Sequence, residues 1–119
     1  MILFDFDYER ADTLEDAVAL LARLQGDARV LAGGTDLLPS MRVENIRPGL
    51  LVSLGAIEPR APEMLADGSI RIDALSRLAT LENSDFLRSR VPMLAQSAHV
   101  VGGNQIRQMG TLGGNLCQE

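Results

Sequence analysis

In the first half of the chain the apolar residues switch between a period of two and a period near 3.6, which predicts strands alternating with helices. Phe4-Asp5-Phe6-Asp7-Tyr8 alternates apolar and polar as a half-buried strand does. Thr13, followed by Asp16, predicts a helix start with an acidic first turn, and Leu14, Ala17, Val18, Leu21 and Leu24 then recur at helical spacing until Gly26 ends the helix. Ala28 to Ala32 reads as a strand running into Gly33-Gly34, Asp36 to Met41 as a short helix, and Leu50 to Leu54 as a further, parallel strand that closes a βαβ unit.

From Ile57 to Glu63 two prolines and several charges break the rhythm, so a subdomain boundary is expected there, dividing residues 1–56 from 57–119. Beyond it Asp67-Gly68 predicts a turn between strands, the second running from Ser69 to Asp73. Helical stretches follow near Leu78 to Arg88 and Pro92 to Val101, the second with Pro92 in its first turn and Gly102-Gly103 as its stop. The fold class expected is α+β. No internal repeat or low-complexity segment is present.

At 119 residues and 46% hydrophobic content the chain has the make-up of a compact globular protein with a real core. No apolar run is long enough to span a bilayer, and Met1-Ile2-Leu3-Phe4-Asp5 has neither a basic region nor a cleavage site, so a cytoplasmic location is expected. A net charge of −5 without a basic block argues against a nucleic-acid partner. All eleven cations are arginine, which excludes a P-loop lysine and a Schiff-base lysine. One cysteine, Cys117, and one histidine, His99, cannot alone build a four-ligand zinc site, a four-cysteine iron–sulfur cluster or a disulfide.

Candidate chemistry sits in two glycine-centred segments, Ala32-Gly33-Gly34-Thr35-Asp36 and Thr111-Leu112-Gly113-Gly114-Asn115. Paired glycines let backbone N–H groups face outward with no Cβ in the way, which is how a loop makes close contact with phosphate oxygens. In the first segment a carboxylate would repel phosphate, so Asp36 is expected to cap its own helix or to accept hydrogen bonds from a sugar or ribityl hydroxyl while Gly33, Gly34 and Thr35 face the phosphates. The plainer reading of the same residues is a tight turn and a cap. Around the second segment five glycines fall within residues 102–114, with Asn104, Gln105, Thr111 and Asn115 as neutral hydrogen-bonding groups.

The remaining polar residues have plainer readings. Arg107, the one cation in that stretch, is expected in a surface or inter-subdomain salt bridge. His99 reads as a helix-surface or packed residue rather than a base, Tyr8 as a strand packing residue, and Cys117 as a small buried hydrophobe. No acid–base catalyst or metal site is proposed from the sequence.

Neither segment is a Gly-x-Gly-x-x-Gly fingerprint. Together, however, Leu-Ala-Gly-Gly-Thr-Asp-Leu-Leu-Pro near residue 35 and Arg-Gln-Met-Gly-Thr-Leu-Gly-Gly-Asn-Leu near residue 112 resemble the FAD-binding medium subunit of molybdenum hydroxylases, the xanthine dehydrogenase and carbon monoxide dehydrogenase family. Gly-Gly-Asn-Leu-Cys-Gln, ending at Gln118, is similar to the branch containing the β subunit of 4-hydroxybenzoyl-CoA reductase.

The resemblance implies a flavin domain of the p-cresol methylhydroxylase or vanillyl-alcohol oxidase type, with FAD held by an N-terminal βαβ subdomain and a second, incomplete α+β subdomain. It implies FAD contacts at Val30, Leu31, Ala32, Gly33, Gly34, Thr35, Asp36 and Leu37, at Gly102, and at Thr111, Leu112, Gly113, Gly114 and Asn115. It implies an oxidoreductase component that passes electrons between the clusters of an iron–sulfur small subunit and an external donor or acceptor, with a molybdopterin large subunit performing the substrate chemistry. Medium subunits of this family continue well past the second glycine loop, so the chain is expected to be an N-terminal fragment. A non-redox nucleotide-binding or subunit-assembly module is the alternative.

Overall fold

The computed structural model describes residues 1, 2 and 4–118. They form two compact units, Met1–Glu58 and Pro59–Glu119.

The first unit is built on a parallel sheet of β1 (Asp7–Arg10), β2 (Ala28–Leu31) and β3 (Leu50–Ser53) in the order β1-β3-β2. Strand β3 lies in the middle and all four of its residues are buried, which is why Leu50, Leu51 and Val52 run apolar without alternation, with Ser53 a buried polar residue at its end. Parallel neighbours need crossovers, supplied by α1 (Leu14–Arg23) and α2 (Leu37–Arg42). Ala17 of α1 packs with Ala11, Ala28, Leu50 and Val52, and Leu20, Leu21 and Leu54 close around that cluster.

Several boundaries differ from the periodicity reading. The first strand begins at Asp7, and the alternating Phe4 and Phe6 instead pair their rings ahead of it, 6.0 Å between centroids. Tyr8 lies in β1 but is 57% exposed, so it is no packing residue. Thr13 caps α1 as expected, its hydroxyl accepting from the Asp16 N–H at 3.1 Å. The buried stripe of α1 is nonetheless Ala17, Leu20 and Leu21, while Leu14 and Val18 face outward.

The second unit opens with an antiparallel hairpin, β4 (Glu63–Met64) and β5 (Ile70–Arg71). Asp67 shapes its turn by accepting from both the N–H and the hydroxyl of Ser69. Five short helices follow: α3 (Leu78–Glu82), α4 (Asp85–Arg90), α5 (Pro92–His99), α6 (Asn104–Met109) and α7 (Leu112–Leu116).

The single helix expected from Leu78 to Arg88 is thus two. Asn83 turns its amide back to the Ala79 carbonyl at 2.8 Å, and Ser84 starts the next helix by accepting from the Leu87 N–H. Leu81, Leu87, Ala95 and Ala98 form the core here, flanked by Ile70, Ile72, Phe86, Leu94 and Leu112. Among the described residues no helix is long and apolar enough to cross a membrane.

Candidate functional site

In the first unit the residues from Ala32 to Asp36 leave the carboxyl end of β2 and lead into α2. That is the end of an open parallel sheet at which ligands bind. Gly34 takes a left-handed φ of +72°, and a Cβ there would stand 3.1 Å from both Leu31 Cδ1 and Leu38 Cδ1. The position therefore requires glycine for the turn itself.

Hydrogen bonds in this loop run one way. The carbonyls of Leu31, Gly34 and Asp36 accept from Leu54, Leu38 and Ser40, but among the described residues no hydrogen bond has the N–H of Gly33, Gly34 or Thr35 as its donor. These three successive amides have no acceptor among the described residues. Asp36 precedes α2 in a helical conformation and makes no side-chain cap to that helix, which removes the first of the two roles expected for it.

The second segment is different in kind. The glycine-rich stretch forms two helices rather than a loop, because Gly103 and Gly110 serve as the caps of α6 while Gly113 and Gly114 lie inside α7. Every N–H from Leu112 to Asn115 is engaged within the protein: Leu112 donates to the Ser76 carbonyl at 2.9 Å, Gly113 to the Ala74 carbonyl at 2.8 Å, Gly114 to Thr111 Oγ1 at 3.1 Å and Asn115 to the Thr111 carbonyl at 3.0 Å. The expectation that this glycine pair turns its amides outward does not hold in this structure. What remains for a ligand is the exposed backbone surface at Gly114 and the exposed side chain of Asn115.

Gly102, the other expected contact, has a φ of +53°, and its α-carbon faces α6, where a Cβ would lie 3.2 Å from Ile106 Cβ and Cγ2. Val30 is 40% exposed, Leu31 and Leu37 are half-buried, and Leu112 packs into the core of the second unit.

Charge in the second unit gathers at one carboxylate. Glu82 Oε2 accepts from Arg107 Nε at 2.9 Å and Glu82 Oε1 from His99 Nδ1 at 2.6 Å. The hydrogen bond from His99 lowers the Glu82 pKa, Arg107 adds to this through its own hydrogen bond and charge, and burial opposes both. Arg107 is therefore in a salt bridge as expected, but with a residue of its own unit and with only 11% of its side chain exposed. His99 is on the surface and bonded to Glu82. Cys117 is exposed, contrary to its expected burial, because it caps the carboxyl end of α7 rather than facing the core.

Sequence reasoning missed Ala74, Ser76, Leu78 and Glu82, which hold the second segment in place through bonds spanning 25 residues or more. No local pattern marks such partners. Among the described residues no cluster of His, Cys, Asp and Glu could hold a metal ion. A cavity of about 220 Å³ with Asp27, Arg29, Asn45 and Arg47 in its lining opens at the amino ends of β2 and β3, and none of the expected contacts lines it.

Residues 4–119 match the family described as the FAD binding domain in molybdopterin dehydrogenase, and the chain belongs to that family. The carbon monoxide dehydrogenase medium chain of Afipia carboxidovorans is 39% identical over 115 residues, covering 97% of this chain and 40% of the relative. The xanthine dehydrogenase FAD-binding subunit of Escherichia coli O157:H7 is 38% identical over 117 residues, with the same two coverages of 97% and 40%.

Among solved structures, the carbon monoxide dehydrogenase from Hydrogenophaga pseudoflava that lacks the Mo-pyranopterin moiety superposes with a TM-score of 0.87 at 32% identity, over 98% of this chain and 40% of that one. The mixed α and β architecture is accordingly that of this FAD-binding domain. The chain spans about 40% of the length of the relatives it matches.

Proposed function

We propose that this chain binds FAD and serves as part of the flavin subunit of a molybdenum-containing dehydrogenase, an oxidoreductase component that relays electrons. The observation that carries the reading is the turn at Gly33, Gly34 and Thr35: three amides without an acceptor among the described residues, at the carboxyl end of a parallel strand, in a loop with no basic side chain. Backbone N–H groups arranged this way suit a pyrophosphate. The residues present thus fit the phosphate portion of FAD.

In this reading Val30 to Leu37 form the first contact segment, with the N–H groups of Gly33, Gly34 and Thr35 on phosphate oxygens and Asp36 accepting from a sugar or ribityl hydroxyl. Gly102 and Thr111 to Asn115 form the second, which works through exposed backbone surface and the Asn115 amide because its own N–H groups are committed. Bound FAD supplies one- and two-electron redox chemistry, and the protein's part is to bind and orient it. Partners of the complete subunit are proposed to be an iron–sulfur small subunit and a molybdopterin large subunit, in line with the names of its relatives as a medium chain and a FAD-binding subunit.

A second reading has a specific observation behind it. The committed amides of residues 112–115 are what a purely structural glycine pair would show, which fits a module without a ligand at this segment. One experiment separates the two. A chain completed to its relatives' length, purified and scanned in the visible range, should carry the two-banded absorption of bound flavin and bring two further polypeptides with it, one with iron–sulfur clusters and one with molybdenum. A colourless protein that still assembles would favour the module.

A further inference from the structure

We infer that Arg107, held by Glu82, is a positioning residue for the flavin: it fixes the turn at Gly102 and, together with α3, the place of Thr111 to Asn115 at the other end of α6. The inference rests on the FAD reading above. Its ground is the way one guanidinium gathers three acceptors. Arg107 Nε donates to Glu82 Oε2 at 2.9 Å, while Nη1 donates to the Gly102 carbonyl at 2.8 Å and lies 3.4 Å from the Val101 carbonyl. The planar fork of arginine reaches a carboxylate and a backbone carbonyl at once, which the single ammonium of lysine cannot reproduce.

Both charges are largely withdrawn from water, with 11% of the Arg107 and 15% of the Glu82 side chain exposed. A pair so placed loses much of its attraction to desolvation, so net stability is a weak reason for it, and fixing one geometry is the stronger one. His99 completes the lock. By donating to Oε1 it occupies the second carboxylate oxygen and holds the plane in which Oε2 meets Arg107.

Helix α3 carries the same constraint to the second glycine pair. At its amino end Leu78 donates to the Gly110 carbonyl at 3.0 Å and the Ser76 carbonyl accepts from Leu112 at 2.9 Å; at its carboxyl end Glu82 holds Arg107. The carboxyl-terminal turn of α6 is thereby tied directly to one five-residue helix, and the Gly102 turn ahead of α6 is tied to it through the Arg107 guanidinium. The two proposed flavin contacts that flank α6 cannot shift independently while the pair is intact.

The test uses the isotopically labelled chain, carried in a subunit of its relatives' length, with Arg107→Gln, Arg107→Lys and Glu82→Gln, and Arg71→Gln as a control whose partner Glu63 lies in the hairpin. Two quantities are read for each: exchange of the amides at positions 107 and 110, which donate to the Gly103 and Ile106 carbonyls, and the Kd for FAD from its amide shifts. We expect exchange at these residues to quicken at least tenfold in both Arg107 variants while α4 is unchanged, and FAD to bind at least tenfold more weakly, with lysine failing to rescue. If Arg107→Gln does not fold, Glu82→Gln, which keeps the side-chain shape, carries the same two readouts. Binding of FAD with native affinity in the folded variants, or unchanged exchange at positions 107 and 110, overturns the inference alone. A native chain that shows no FAD shifts overturns the functional reading and the flavin role of Arg107 with it.

Discussion

Gly113 stands directly against Ala74: its N–H donates to the Ala74 carbonyl at 2.8 Å, and a Cβ on residue 113 would lie 3.0 Å from that same oxygen and from the Ala74 Cβ. The glycine is thus required by the chain's own packing, whatever ligand lies nearby. Gly113→Ala should destabilise the second unit by about 1–3 kcal/mol, the usual cost of forcing a methyl into a filled space. Denaturant unfolding followed by probes in that unit measures it, and an unchanged midpoint would show that the contact relaxes without strain.

The first loop separates two glycine roles. Gly34 is held at φ +72° with Leu31 and Leu38 closed about it, so Gly34→Ala should cost stability, about 1–2 kcal/mol from the left-handed conformation alone. Gly33→Val should instead weaken FAD binding while leaving the unfolding midpoint close to native, since its proposed part is to bring backbone to phosphate. Equal FAD affinity in Gly33→Val and the native chain would reduce the loop to a turn.

Thr111 is buried, and its hydroxyl accepts from the Gly114 N–H at 3.1 Å to cap α7. Thr111→Val keeps the shape and removes the acceptor, which should cost about 1 kcal/mol. Exchange of the Gly114 amide would report it directly, rising in the variant while amides in α5 stay protected. Gly114→Val should act through the same cap, because a Cβ there would meet Thr111 Oγ1 at 3.0 Å.

The Glu82 carboxylate gives the second unit an acid limb. Hydrogen bonds from His99 and then Arg107 hold its pKa below the ordinary glutamate value. A carboxylate whose folded pKa is depressed contributes stability that is fully present above its unfolded value, about 4.3, and lost as pH falls through the lower folded value. Unfolding free energy measured through this range should therefore fall less steeply in Glu82→Gln than in the native chain. Identical pH slopes in the two would contradict the coupling.

Much of the first unit was legible because its signals are local. A hydroxyl three residues before an acidic amide marked the α1 cap, and the apolar run Leu50-Leu51-Val52 marked a further strand, which the structure buries. The stripe of α1 was misjudged at Leu14 and Val18 because periodicity gives a helix face but not which residues along it a short sheet can cover.

In the second unit the glycine-rich stretch concealed α6 and α7, since glycine is a poor helix former and the bonds that hold these helices come from Ala74, Ser76, Leu78 and Glu82, far away in sequence. The two Gly-Gly segments looked alike, and only three-dimensional bonding distinguishes the one whose amides are open from the one whose amides are committed.

The turn at Gly33, Gly34 and Thr35 should receive the pyrophosphate of FAD, and the most direct measurement is a titration of the labelled chain, carried in a subunit of its relatives' length, with FAD and, separately, with riboflavin, which lacks that group. Saturable FAD-dependent shifts are expected at these three amides, and riboflavin binding at least tenfold weaker with these amides unmoved. Equal response to both ligands, or FAD shifts that spare Gly33, Gly34 and Thr35, would contradict it.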